Sequence, residues 1–230
     1  MAASPSNWKG IQVDLIGING LAGAGKDTAC QIVLDEVRAP GHTAQRVAFA
    51  DKMKLLAMSA LGVGLLGVGL QDEEGREEYQ LKTANIIKES GVIDVAWGDL
   101  YHSDAHLTGR EYIQHLGEEA RTLFGESFWI DQILPNPGLV PPGWGSNDDP
   151  LLAAYPGVDV LVVPDVRLDL ESDRVKRLGG KLWHVSRPGV VSDGHATESG
   201  LAIGTAFDAV LINDGSLDEL RDKIKEVLDA

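Results

Sequence analysis

The residues best suited to do chemistry sit near the start of the chain, in "GINGLAGAGKDTA" (Gly17–Ala29). Gly20, Gly25 and Lys26 fit the spacing G-x-x-x-x-G-K. Glycines so placed let backbone N–H groups wrap round phosphate oxygens, and the lysine carries its charge to the β- and γ-phosphates. A helix beginning at that point adds the positive end of its dipole. The position after the lysine, where a Ser or Thr hydroxyl commonly holds Mg²⁺, carries Asp27, with Thr28 next. Asp27 suits a helix N-terminus electrostatically, and it is also an oxygen ligand that can hold Mg²⁺ directly or through water. Thr28 can bond a phosphate through its backbone N–H and its hydroxyl. The tentative metal ligand is therefore Asp27 or Thr28.

Two further clusters carry charge at useful spacing. In "VDVLVVPDVRLDLE" an apolar run ends just before Asp165 and Arg167. An acid beyond a strand end can position Mg²⁺ or a substrate hydroxyl, and an arginine can hold a phosphate bidentately. The plainer alternative for Asp165 is a cap on the next helix. In "GREYIQHLGEEAR", Arg110, Gln114 and Gly117 fall on consecutive turns of one helical face. Gln114 can donate and accept toward a base edge, and Arg110 can hold a phosphate, although both also suit a solvated surface. Lys54 and Arg76 are additional candidate cations. "FWI" (Phe128–Ile130) reads as core more readily than as a stacking platform. The polar stretch "VSRPGVVSDGHATESGL", with Arg187, His195 and Glu198, reads as a loop able to close over a ligand, and its spacing suggests no metal site.

Elements that could position these groups alternate along the chain. Strands are expected at Ile11–Ile18, Arg46–Ala50, Val158–Val163, "KLWHV" and "DAVLI". Helices are expected at Lys26–Arg38, Lys52–Leu61, Glu77–Glu89, Arg110–Phe124, Ser127–Leu134, Arg167–Leu178 and Ser216–Leu228. Ser216 and Glu219 form an S-x-x-E capping box, and Leu217, Leu220, Ile224 and Val227 line one face behind it. Gly179-Gly180 stops the helix before "KLWHV". Residues 90–109 read as irregular, and "PNPGLVPPGWGSNDDP" as a Pro/Gly surface insertion. Alternation of this kind predicts an α/β fold, one parallel sheet with helices on both faces.

Composition narrows the partners. The 230 residues suffice for one domain with a proper core. A formal net charge of −15 excludes an extended basic face for nucleic acid but leaves room for a small anion held by local Arg and Lys. The one cysteine, Cys30, allows no internal disulfide, which suits the cytoplasm. The opening "MAASPSNWKG" has no apolar signal core, and the apolar run Leu55–Leu70 holds four glycines and is too short to span a bilayer. No membrane partner is expected, and a homodimer is left open.

"GLAGAGKDT", "REYIQHLG", "VVPDVRLDLE", "HVSRPG", "HATESGL" and "LINDGSLDELRDKI" occur in that order. Together they resemble the bacteriophage-type deoxynucleoside monophosphate kinases, in which "GKD" replaces "GK[ST]". The related phosphomevalonate kinases share that feature. The resemblance implies a P-loop NTPase domain over residues 1–230, similar to adenylate kinase. A helical NMP-binding insertion would span about 52–134 and a lid-like segment about 187–204. It implies ATP with Mg²⁺ as donor and a deoxynucleoside 5′-monophosphate as acceptor. The donor loop would comprise Gly20, Ala22, Gly23, Gly25, Lys26, Asp27 and Thr28, with Arg187 beside it. Ala22 stands where some members carry a basic residue. The acceptor would meet Lys54, Arg76, Arg110, Gln114, Gly117, Asp165, Arg167 and Glu171. Lys26, Arg110, Arg167 and Asp165 would be the catalytic set. A different small-molecule kinase is the alternative. A regulatory GTPase is a remote one, since "INDGS" (Ile212–Ser216) lacks the lysine of N-K-x-D.

Overall fold

The computed structural model describes residues 13–60, 92–93, 107–138, 149–191, 201 and 205–230. The chain divides into two compact units, Met1–Phe49 with Ile130–Ala230, and Ala50–Trp129.

The first unit is built on a five-stranded, wholly parallel sheet. Its strands are β1 (Asp14–Asn19), β2 (Ala44–Arg46), β5 (Val160–Val163), β6 (Lys181–Ser186) and β7 (Ala209–Ile212), in the order β2-β5-β1-β6-β7. The α/β sheet expected from the alternation is therefore present. β1 lies at its centre, with Asp14 opposite Val160 and Ile16 opposite Lys181. A central parallel strand is covered on both faces, which is why residues 15–19 of β1 and "VLVV" of β5 are buried continuously rather than alternately.

Each face of the sheet has its own core. On one side α1 (Lys26–Arg38) and α7 (Leu217–Leu228) bury Ile32, Val33, Val37, Leu220 and Ile224 against Ile16, Ile18, Val162 and Trp183. On the other, α6 (Asp169–Arg177) contributes Val175, which packs with Leu15, Phe49, Ile133, Leu134, Leu151, Leu161 and Leu182. α5 (Pro150–Ala154) starts at Asp149, whose side chain accepts from the N–H groups of Leu151 and Leu152. It begins at Pro150, the last residue of the stretch expected to be a Pro/Gly insertion.

Several boundaries differ from those read in the sequence. "RVAFA" is not a strand over Arg46–Ala50. The ladder ends at Arg46, and α2 begins at Phe49 and runs to Ala60. The reason is tertiary: the Phe49 N–H donates to Asp165 Oδ1 at 3.1 Å, so a carboxylate far along the chain starts this helix. Residues 90–109 are not wholly irregular, because β3 (Val92–Ile93) pairs antiparallel with β4 (Leu107–Thr108). Of the expected helix Ser127–Leu134, only α4 (Phe128–Asp131) forms. The expected helix Glu77–Glu89 lies outside the described residues.

In the second unit α3 (Gly109–Phe124) presents Tyr112, Ile113 and Leu116 to Met53 and Ala57 of α2. Gly117 lets the helices approach, since a Cβ there would collide with Met53 Sδ. The Gly117 carbonyl accepts from Trp129 Nε1 at 3.0 Å. Trp129 is buried, as expected for "FWI".

Candidate phosphate-binding site

All the loops that follow the strands of the parallel sheet leave from its carboxyl edge. β1 has β5 on one side and β6 on the other, so the chain's direction of travel across the sheet reverses around it. Ligands of open α/β sheets bind in the crevice at such a reversal. Gly20–Gly25 occupies that position, between β1 and α1.

Two of its glycines are sterically required. Gly20 has φ +153°, and a Cβ there would strike the Val185 carbonyl oxygen. Gly25 has φ +102°, and its Cβ would lie 2.5 Å from Asn213 Nδ2. Gly25 is also the N-cap of α1 and brings no side chain to satisfy the first-turn N–H groups. Those donors and the dipole of a 13-residue helix are therefore left to an anion.

Lys26 is only 8% exposed. Its Nζ donates to the carbonyls of Gly20 at 2.7 Å and Leu21 at 2.8 Å, which folds the ammonium back into the loop. Asp27 and Thr28 are exposed in the first turn of the helix, and Ala22 and Gly23 are exposed at the tip of the loop. The glycine loop and the Lys26 ammonium are thus brought together in one place.

Pro164–Leu168, beyond β5, forms the neighbouring wall. Asp165 is half-buried and caps α2 as described, a role beside which any ligand contact has to fit. Arg167 is half-buried. Glu171, 8% exposed, accepts from the backbone N–H groups of Arg167 at 2.6 Å and Leu168 at 2.9 Å, both on Oε2. Burial pushes its carboxyl up to about 7, against these two bonds and the Arg167 charge, which favour ionisation, while the nearby Asp165 charge disfavours it. The structure makes Glu171 the anchor of the turn that carries Arg167.

Two asparagines that the sequence did not single out complete the cradle. Asn19, at the end of β1, is 5% exposed and donates through Nδ2 to the Val166 carbonyl at 2.8 Å. Its Oδ1 lies 2.8 Å from His184 Nδ1 on β6. Asn213, after β7, donates through Nδ2 to the Ala24 carbonyl at 3.0 Å, while its N–H donates to the Ser186 carbonyl at 2.7 Å. Asparagines at the carboxyl ends of buried strands were the available signal. Their roles depend on contacts distant in sequence, which no local pattern reports.

Arg187 is exposed after β6 and lines a small cleft of about 140 Å³ with Leu21, Ala24, His184 and Val190. Burial, then the Lys26 charge, hold the His184 imidazole below its usual range, so its neutral form is favoured. In the second unit, Lys54 is half-buried with Nζ 3.5 Å from Asp51 Oδ1, and Gln114 is half-buried on α3. Arg110 lies in the first turn of α3, and its side chain is outside what is described. Arg76, His195 and Glu198 lie outside the described residues. Among the described residues no group of three or more His, Cys, Asp or Glu could hold a metal ion, and no helix is long and apolar enough to cross a membrane.

A glycine-cradled, lysine-bearing loop at the carboxyl edge of a doubly wound parallel sheet defines a P-loop protein. Residues 147–224 match the family described as deoxynucleotide monophosphate kinase. The deoxynucleotide monophosphate kinase of Enterobacteria phage T4 is 49% identical over 164 residues, covering 70% of this chain and 58% of that protein. That of Escherichia phage RB69 is 44% identical over 71 residues, 30% of this chain and 29% of its own. These matches relate the chain to the phage-type deoxynucleotide monophosphate kinases. The chain spans less than two thirds of the length of either relative. Among solved structures, the Mycobacterium tuberculosis APS kinase CysC in complex with AMPPNP and APS aligns over 95% of this chain and 99% of its own, with a TM-score of 0.41 and 14% identity.

Proposed function

We propose that the chain is an ATP-dependent kinase that phosphorylates deoxynucleoside 5′-monophosphates to diphosphates, acting in the cytoplasm to supply DNA precursors. The observation that carries this reading is the formed cradle, with the buried Lys26 beside the Arg167 turn, in a chain related to kinases of this name. The acceptor phosphate is already an anion at neutral pH, so the transfer needs no general base. What it needs is two anions brought into line and their charge neutralised.

In this reading the first-turn N–H groups of α1 and Lys26 hold the β- and γ-phosphates of ATP. The side chain of Lys26 leaves the Gly20 and Leu21 carbonyls to do so. Leu21, Ala24 and Arg187 border the donor nucleoside. Arg167 takes the acceptor phosphate. The family resemblance adds Lys54, Arg76, Arg110, Gln114 and Gly117 to the acceptor site, with Gln114 facing the base. The exposed oxygens of Asp27 and Thr28 fit Mg²⁺, which keeps most of its waters and needs only one or two protein ligands beside the phosphates. When bound, the ion neutralises charge on the phosphates.

A coupled assay of ADP formation tests the reading. ATP and Mg²⁺ are supplied with dTMP, dGMP, dCMP or dAMP in turn, and phosphomevalonate serves as the contrasting acceptor. Turnover with at least one deoxynucleotide is expected. Turnover with phosphomevalonate alone, or with none of the five, would overturn it.

A further inference from the structure

Asn19, at the carboxyl end of β1, bonds through its side chain to both the turn after β5 and strand β6. We propose that Asn19 is a positioning residue that fixes the spacing between the donor loop, Gly20–Lys26, and the turn that carries Asp165 and Arg167. The inference rests on the reading that this turn holds the acceptor phosphate.

The bond donors and acceptors determine how the amide must sit. The Val166 carbonyl can only accept, so the Asn19 NH₂ group faces it. That leaves Oδ1 toward His184, so His184 Nδ1 carries the proton and donates. The Val166 carbonyl thereby excludes the flipped amide. Val166 is held from its other side too, since its N–H donates to the Ile18 carbonyl at 3.2 Å. Residues 18 and 19 thus grip both the N–H and the C=O of the residue that lies between Asp165 and Arg167. Asn19 also directly precedes Gly20, where a Cβ would strike the Val185 carbonyl of β6. A displacement of the Arg167 turn relative to the donor loop therefore has to break the Asn19 bond. A misplacement of about 1 Å between reacting groups can cost on the order of 10²-fold in rate.

The test compares Asn19→Asp and Asn19→Leu with the unaltered protein. The aspartate can still accept from His184 but has no hydrogen to give Val166. The leucine loses both bonds at similar volume. Both variants are expected to lose about 10- to 100-fold in kcat, with the Kd for a non-hydrolysable ATP analogue changed less than about 3-fold, because Gly20–Lys26 keeps its own bonds. A merely structural role would instead lower the melting temperature and leave kcat per folded molecule intact, and that result would overturn the proposal. If neither variant folds, His184→Phe removes the bond that ties the amide to β6 while leaving the Val166 bond possible. A smaller loss in kcat at unchanged ATP-analogue affinity is then expected, and an unchanged kcat would overturn the proposal. If the unaltered protein turns over no deoxynucleotide, the proposed function fails, and hydrogen exchange decides on Asn19. Faster exchange of the amides at residues 165–168 in either Asn19 variant supports it, and unchanged exchange there refutes it.

Discussion

Glu171→Gln isolates the cost of keeping an ionisable group in a dry turn. The native carboxyl has an ordinary value of 4.5 and is pushed up to about 7 in the fold. As pH rises from 4.5 toward 7 the unfolded chain gives up this proton while the folded chain retains it. Stability contributed by the protonated form is therefore complete below 4.5 and lost by the time pH passes the folded value. The gap between the two values corresponds to about 3 kcal/mol. Glutamine keeps an acceptor for the Arg167 and Leu168 N–H groups but has no proton to lose. The variant should thus gain on the native protein by about 3 kcal/mol between pH 4.5 and pH 7.5, with no further gain above that. In a domain of this size that is on the order of 10 °C in melting temperature. Paired thermal or urea melts at pH 4.5, 5.5, 6.5 and 7.5 read the difference directly, and titrations elsewhere in the chain cancel between the two proteins. A difference independent of pH would show that Glu171 does not titrate in this range and would refute the account of its burial.

Lys26→Ala should lower phosphoryl transfer by about 10²–10³ in kcat, a magnitude typical of removing one group that stabilises transition-state charge. Circular dichroism should show the fold retained, and near-native turnover in the folded variant would exclude Lys26 from the chemistry. Asn213→Ala removes the donor to the Ala24 carbonyl and should raise the KM for ATP without altering the melting temperature by more than the loss of one hydrogen bond, about 1 kcal/mol. Calorimetry with an ATP analogue checks it, and unaltered affinity counts against a role for Asn213 in shaping the loop. Gly117→Ala forces Met53 away from α3 and should destabilise by about 1–3 kcal/mol as overpacking does. A melt as stable as the native one would mean that Met53 turns aside freely.

The parts of this structure that were legible in the sequence are those fixed by neighbours in the chain. The phosphate cradle is one, because glycine, helix start and lysine lie within seven residues of one another. The last helix is another: Ser216 Oγ accepts from the Glu219 N–H, and Glu219 Oε2 accepts from the Ser216 N–H, as the capping pattern foretold. Its apolar face was read one residue too wide, since Leu217 is 55% exposed and is not part of the core that holds Leu220 and Ile224. Phe49 shows the opposite case. Its β-favouring neighbours suggest a strand, but the carboxylate of Asp165 supplies a helix start that no local window contains. Asn19 and Asn213 escaped notice for the same reason, as their partners Val166, His184 and Ala24 meet them only once the sheet is assembled. Glu171 was legible as a polar residue near the site. That its carboxyl accepts from two backbone N–H groups follows only from the turn it closes.

The place of β1 at the centre of the sheet has a consequence for synthesis on the ribosome. Asp14–Gly17 can find Val160–Val163 only after that strand has been made, and Ile16–Asn19 must wait longer still for Lys181–His184. At about 5–20 residues per second, the innermost strand spends on the order of 10–30 s outside the tunnel with both edges unpaired. Its apolar side chains are then open to any other extended chain nearby. The cradle residues emerge with it, yet Gly20 and Asn19 acquire the Val185, Val166 and His184 contacts that shape them only when the second half of the sheet arrives. A nascent chain halted before Val160 would carry every residue of the glycine loop and still lack the walls that hold it open for a phosphate.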